Sequence, residues 1–138
     1  MKQSSAWKKL GKPVVVVDFD GVIMDYTKGF RGVDVFDEAV DGAGEALQEL
    51  QDANWHIVIF TTRFASPALV EWLKDKKIPY NALNSTDHNP PNTSHKPIAT
   101  VYLDDRAWPW GGKQYTKETW QQIVKDLKKM QKEMSAFA

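Results

Sequence analysis

The chain has 138 residues, with 18 basic and 18 acidic side chains and a formal net charge of +0. That length suits one domain with a buried core, and the balanced charge excludes a broad field drawing the chain to nucleic acid or a membrane surface, though not a local basic face. The lack of cysteine excludes disulfides, thiolate catalysis and Cys-ligated zinc together.

Residues 1–12 read as a lead-in, with Trp7 and Leu10 packing on the body and the lysines solvated. They hold no apolar signal core, and no stretch approaches the length of a membrane span, so no membrane partner is expected and the cytoplasm is the default compartment. After Gly11 and Pro13, Val14-Val15-Val16-Val17-Asp18-Phe19-Asp20-Gly21-Val22 opens with β-branched residues. It predicts a strand over about 14–19, buried on both faces as in a parallel sheet. Residues two apart point the same way in an extended chain, so Asp18 and Asp20 leave the strand end together, and Gly21 lets the backbone turn beneath them. Two adjacent acids repel unless a cation compensates. A metal site and a solvated Asp-rich turn are the competing readings of this motif taken alone.

Residues 23–37 carry Tyr26, Phe30, Val33 and Phe36 without a clear period and predict an irregular flap or small hairpin beside the acids. Asp41 is expected to cap a helix over about 42–53, with Ala43, Ala46, Leu47 and Leu50 on one face. A second buried strand over 55–60 ends at Thr61-Thr62-Arg63, completing a parallel crossover unit. Ser66-Pro67 signals a helix to about residue 77, with Ala68, Leu69, Trp72 and Leu73 as its apolar stripe. Ile78-Pro79 breaks it, and residues 80–83 fit a short third strand.

The polar stretch 84–97, with Asn-Pro-Pro-Asn in its middle, is a loop long enough to suggest function. Residues 98–103 form a further strand ending at Asp104-Asp105-Arg106. After a Trp-Pro-Trp-Gly-Gly loop, Trp120, Ile123, Val124, Leu127, Met130 and Met134 recur at helical spacing over 116–134. That stripe reads as core packing, and the lysines at 125, 128, 129 and 132 as a solvated face. Strand and helix alternate without an internal repeat, which predicts one α/β domain over 1–138, a three-layer sandwich on a mainly parallel, Rossmann-like sheet.

Asp18 and Asp20, Thr61, and Asp104 and Asp105 each follow a predicted strand. In open α/β sheets the ligand crevice lies outside those strand ends, so these groups should converge. Lys96 enters from the loop before the last strand.

Asp18-Phe19-Asp20-Gly21-Val22, Thr61, Lys96 and Asp104-Asp105 resemble, in order and spacing, the motifs of the haloacid dehalogenase-like (HAD) superfamily, over most of the chain from Val14 to Arg106. The resemblance implies a phosphatase in which Asp18 attacks phosphorus to form an aspartyl-phosphate and Asp20 serves as general acid and then base. The dehalogenase branch lacks an acid at the position of Asp20. The resemblance also implies Mg²⁺ as cofactor, held by the Asp18 carboxylate, the Asp20 backbone carbonyl and Asp104, with Asp105 binding directly or through water. Thr61 would bond a phosphoryl oxygen and Lys96 would neutralise charge on the nucleophile and transferring group.

Bland readings stand beside these: Thr61 as an ordinary strand-end hydroxyl, with Thr62 its rival for the role, and Lys96 as a surface lysine. Arg63 and Arg106 contact substrate or pair with nearby acids. His56 reads as structural, and His88 and His95 lack the clustering of a zinc site. Trp108 and Trp110 wall the site or pack over the sheet edge. Neither inter-motif segment holds a cap domain, leaving the flap and the 84–95 loop as local cover. A large phosphorylated substrate such as a macromolecule end, or a homo-oligomer closing the site over a small metabolite, would then exclude water. The alternatives to a hydrolase are a phosphotransferase using the same intermediate, a receiver-like phospho-acceptor module, and a catalytically retired binding scaffold.

Overall fold

Val14, Val15 and Val17 are completely buried and Val16 nearly so, and this run is the middle of the molecule. In the computed structural model, residues 10–107 and 110–135 are described. The strands are β1 (Val14–Val17), β2 (His56–Ile59), β3 (Ala82–Leu83) and β4 (Val101–Leu103), and the helices α1 (Ala43–Asp52), α2 (Pro67–Asp75) and α3 (Lys117–Ser135). The strands form one sheet in the order β3-β2-β1-β4. Every pairing is parallel. This is the expected Rossmann-like α/β fold without a cap, and the sheet is wholly rather than mainly parallel.

The two faces of the sheet follow the alternation of side chains along each strand. Val15, Val17, Ile57, Ile59 and Leu103 join the buried residues of α1, α2 and α3 in one core. Val14, Val16 and Val58 pack on the other face with Leu10, Ala82, Ile98 and Ala99. Leu10 therefore meets the body as expected, while Trp7 lies outside the described residues.

All four strands are shorter in the structure than the sequence reading has them, and β1 and β4 show why. β1 stops at Val17 because the amides of Val22, Ile23 and Met24 all turn back to the Phe19 carbonyl. β4 starts at Val101, after Thr100 has exchanged hydrogen bonds with Val14: its amide donates to the Val14 carbonyl and its Oγ1 accepts the Val14 amide.

The expected Asp41 cap of α1 is not made. Gly42 is the N-cap, at φ 86°, with no side-chain capping bond. Its left-handed turn brings the chain into the helix from a direction that Asp41, exposed to solvent, does not serve. The apolar face of α1 is as read, with Ala43, Ala46, Leu47 and Leu50 buried. α2 does begin with Ser66, whose hydroxyl accepts the Leu69 amide at 3.2 Å ahead of Pro67. Leu69, Trp72 and Leu73 are buried, but Ala68 is exposed: it precedes Leu69 by one residue, about 100° round the helix, and falls off the stripe. In α3, Trp120, Val124, Leu127 and Met134 are buried, Ile123 and Met130 half-buried, and the four lysines exposed. The Trp120 indole donates to the Val22 carbonyl at 3.0 Å, fastening the helix to the turn after β1.

Among the described residues, no helix is long and apolar enough to cross a membrane.

Candidate active site

Parallel pairing of β1 with β4 matches Val17 to Leu103, so the residues that follow each strand emerge side by side. The Asp18 amide continues the ladder to the Leu103 carbonyl at 2.9 Å. Carboxylate oxygens of Asp18, Asp104 and Asp105 then lie within 4.8 Å of one another. The Asp18 carboxylate accepts the Phe19 amide at 2.8 Å and that of Asp104 the Arg106 amide at 2.7 Å. The Tyr115 amide donates to the Gly21 carbonyl at 2.8 Å and its hydroxyl to the Asp104 carbonyl at 3.3 Å, joining the two acidic turns.

Burial pushes the Asp18 carboxyl up to about 7; the Phe19 amide partly opposes this, and the charges of Asp104, Asp105 and Asp20 add to it. Asp105 is raised too, again by burial first. The donors are all hard carboxylate oxygens, which fit Mg²⁺ or a similar hard cation and not zinc. Three carboxylates at this separation are mutually repulsive, and a cation among them removes the repulsion. The donor set therefore fits the ion that the motif resemblance implies.

The Asp20 carboxylate is not one of the three. It turns to Arg63, whose Nε and Nη2 lie 3.1 and 3.0 Å from Oδ1, with Nε 3.2 Å from Oδ2. Arg63 is only 5% exposed. Its Nη1 donates to the flap carbonyls of Val33 at 2.7 Å and Gly32 at 3.2 Å. Of the two readings for Arg63, the structure contains the ion pair with an acid, and the guanidinium is engaged on both edges. Arg106, by contrast, is exposed and stands at the mouth of the site.

The flap is an irregular excursion, as its aperiodic sequence implies. It is tied to α2 by the Trp72 indole on the Asp37 carbonyl, at 2.9 Å, and by Ser66 on Asp34, at 2.8 Å.

Thr61 and Thr62 follow β2. The Thr61 Oγ1 accepts the Arg63 amide at 3.2 Å, which leaves its hydroxyl proton free to donate. Asn84, at φ 51°, holds this turn from both ends: its Oδ1 accepts the Thr61 amide and its Nδ2 donates to the Arg63 carbonyl, each at 2.8 Å. In the 84–97 loop Asn89 does the same for Lys96, donating to the Lys96 carbonyl at 2.8 Å and accepting the Ile98 amide at 2.9 Å. Neither asparagine was singled out by sequence pattern. The one available signal for Asn84 is that asparagine tolerates the left-handed conformation that ends a strand in a tight turn.

Two adjoining hollows receive these side chains. The larger, about 740 Å³, is lined by Asp18, Thr61, Thr62, Lys96 and Arg106, with Phe60 and Tyr102 among its apolar walls. The smaller, about 240 Å³, is lined by Asp18, Asp20, Tyr26, Thr62, Asp105 and Arg106. Asp18, Thr62 and Arg106 face both and mark their junction. The Lys96 ammonium sits 5.1 Å from the Tyr102 ring centroid, and the Tyr102 hydroxyl donates to the Pro97 carbonyl at 2.6 Å, fixing the ring beneath it. A third hollow, about 410 Å³ between α1 and α3, contains Asp41, Glu45 and Lys117 and none of these residues.

Trp110 packs edge-on against Tyr115 at 5.2 Å at the margin of the main core, the packing alternative of its two readings. Trp108 lies outside the described residues. The His56 and His88 rings lie 5.7 Å apart, tilted at 47°, and the buried His88 Nε2 is 2.6 Å from the Ile98 carbonyl; His95 is exposed.

The sequence matches no family model, and no curated protein matches it. A solved structure described as a conserved protein coded by a locus from Bacteroides thetaiotaomicron is similar to it, with 24% sequence identity and a TM-score of 0.66, over 86% of this chain and 92% of that one. The likeness shows the fold alone, a parallel α/β arrangement; the acidic cluster at the C-terminal edge of the sheet is read from this chain's own residues.

Proposed function

We propose that this chain is a one-domain, HAD-like phosphomonoester hydrolase that uses Mg²⁺. The observation that carries the reading is the convergence of Asp18, Asp104 and Asp105 within 4.8 Å, on a hollow that also receives Thr61, Thr62 and Lys96. Apart from Thr62, the rival of Thr61, these are residues that the motif resemblance singles out.

A carboxylate oxygen of Asp18 attacks phosphorus, the bond to the leaving oxygen breaks, and that oxygen takes a proton from Asp20. Water then attacks the phosphorus of the aspartyl-phosphate and gives its proton to Asp20. The bond to Asp18 breaks and inorganic phosphate departs. The hydroxyl of Thr61 or Thr62 and the Lys96 ammonium hold the phosphoryl oxygens as charge develops on them. When bound by Asp18, Asp104, Asp105 and the Asp20 carbonyl, Mg²⁺ supplies charge neutralisation at the nucleophile and polarises the phosphoryl group.

With no cap over the site, the substrate itself or a second subunit excludes water from the transition state. A phosphotransferase shares the first half of this sequence and differs in the acceptor, so added alcohols separate the two. A receiver-like module is disfavoured by the acid pair that follows Lys96. The test is hydrolysis of a generic aryl phosphate with and without Mg²⁺, beside Asp18→Asn. Metal-dependent turnover that Asp18→Asn abolishes supports the hydrolase. Full turnover by a folded Asp18→Asn chain refutes it.

A further inference from the structure

Arg63 is the most fully engaged buried charge among the described residues. It is 5% exposed, and its guanidinium carbon lies 5.7, 5.6 and 5.2 Å from the ring centroids of Phe19, Phe30 and Phe36. Those rings come from the turn after β1 and from the flap, so the cation is packed between the two segments it joins. Its hydrogen bonds divide the same way. Nε and Nη2 take the Asp20 carboxylate, and Nη1 takes the carbonyls of Gly32, Val33 and Val35.

A buried guanidinium with planar, bidentate bonding fixes a carboxylate in orientation as well as position. The two Asp20 oxygens are not treated alike. Oδ1 receives both Nε and Nη2, whereas Oδ2 receives only Nε, at 3.2 Å. Oδ2 is therefore the oxygen with bonding capacity left over. Asp20 also lines the smaller hollow with Asp18, where a leaving oxygen would arrive.

We infer that Arg63 is the positioning residue for the proton-transfer step: it anchors Asp20 through Oδ1, presents Oδ2 to the leaving oxygen, and through its other edge ties that alignment to the flap. The inference rests on the hydrolase reading and deepens it. Arg63 lines neither hollow of the site and would act only through Asp20.

Leaving-group dependence separates this role from a purely structural one. A nitrophenolate departs without a proton, whereas an alkoxide needs one, and kcat/KM reports only the steps through formation of the aspartyl-phosphate. The experiment measures kcat/KM of the whole chain with Mg²⁺ for p-nitrophenyl phosphate and for a simple alkyl phosphate, in wild type, Arg63→Met and Arg63→Lys. The expected result is a loss of about 100-fold or more for the alkyl ester in both variants, the scale of general acid catalysis, against less than about 5-fold for the nitrophenyl ester. In an Asp20→Asn background the Arg63 substitutions should add no further leaving-group effect, because residues acting as one unit are non-additive. If Arg63→Met does not fold, Arg63→Lys, which keeps the buried charge but not the fork, decides the matter. Equal losses for both esters, or a change in KM alone, overturn the role assigned to Arg63 and leave the hydrolase standing. A wild-type chain that hydrolyses neither ester overturns the hydrolase reading, and this inference with it.

Discussion

Gly21 lies directly against the carboxylate of Asp105: a Cβ built on it, at φ +78°, would occupy the space of that side chain's Oδ2. The turn that carries Asp18 and Asp20 thus reaches the turn that carries Asp104 and Asp105 only because position 21 has no side chain.

Gly21→Ala should accordingly fail twice over. A left-handed alanine costs about 1–2 kcal/mol in backbone strain alone, and the collision displaces Asp105 from the cluster. Denaturant unfolding should show a loss of about 2–4 kcal/mol, and calorimetric titration should find Mg²⁺ affinity reduced by 10-fold or more wherever the variant remains folded (about 1.4 kcal/mol per decade).

The acidic cluster makes stability depend on pH and metal together. The folded chain raises the Asp18 carboxyl from 3.8 to about 7, so the native state holds that proton more tightly than the unfolded one. Its contribution is fully present below about pH 4 and is lost as pH rises through about 7. For this group, metal-free protein should melt at a lower temperature at pH 8 than at pH 5. A cation prefers the ionised cluster, so saturating Mg²⁺ should raise the melting temperature by several degrees at pH 8 and little at pH 5. Asp18→Asn should shrink the difference between the two pH values that depends on metal, leaving the part that Asp105 contributes. Thermal melts with and without MgCl₂ check all three.

Asn84→Ala removes both bonds that clamp the Thr61–Arg63 turn and a residue type that tolerates the left-handed φ of 51° better than alanine does. Stability should fall by about 1–3 kcal/mol. Because both the threonine hydroxyls and Arg63 hang from this turn, aryl phosphatase activity should fall about 10- to 100-fold, the penalty of a misplaced group. Steady-state kinetics beside a urea melt would show whether activity falls while the chain is still folded.

Asn89→Ala acts on the other side of the hollow. It frees the Lys96 carbonyl and the Ile98 amide without touching the carboxylates. KM for a phosphomonoester should rise or kcat fall by about 10-fold, while Mg²⁺ affinity stays at the wild-type value. Loss of metal binding in this variant would mean that the loop supports the acidic cluster too.

Most of the sheet is legible because strands buried on both faces are continuous apolar runs. Val14 to Val17, the run ending at Phe60 and the acids after Leu103 need only the rule that parallel strands present their C-terminal ends together. What escaped depends on backbone signs and on distance along the chain. The left-handed φ of Gly42 replaced the expected Asp41 cap, and nothing local in Asp41-Gly42 reveals it. Arg63 meets Asp20 across 43 residues and Val33 across 30, so the choice between substrate contact and internal partner waited on the fold. Asn84 and Asn89 sit in a polar stretch where composition says loop and cannot say which side chain holds it. Ala68 was placed on the apolar stripe by proximity to Leu69, although one helical step moves it to solvent.

The strand order β3-β2-β1-β4 also dictates when the site can exist. During synthesis β1 emerges first, and β2 and β3 can join it on one side as they appear. The opposite neighbour arrives much later, as the 86-residue span between Val14 and Thr100 shows. Until then Asp18 and Asp20 stand at an open edge, well hydrated and free of their repulsive companions. Docking of β4 is the event that both completes the sheet and forces Asp104 and Asp105 against Asp18. The nascent chain therefore meets the repulsion within this cluster when β4 docks, before α3 packs onto α1, and a divalent cation in the surrounding solution would ease that step.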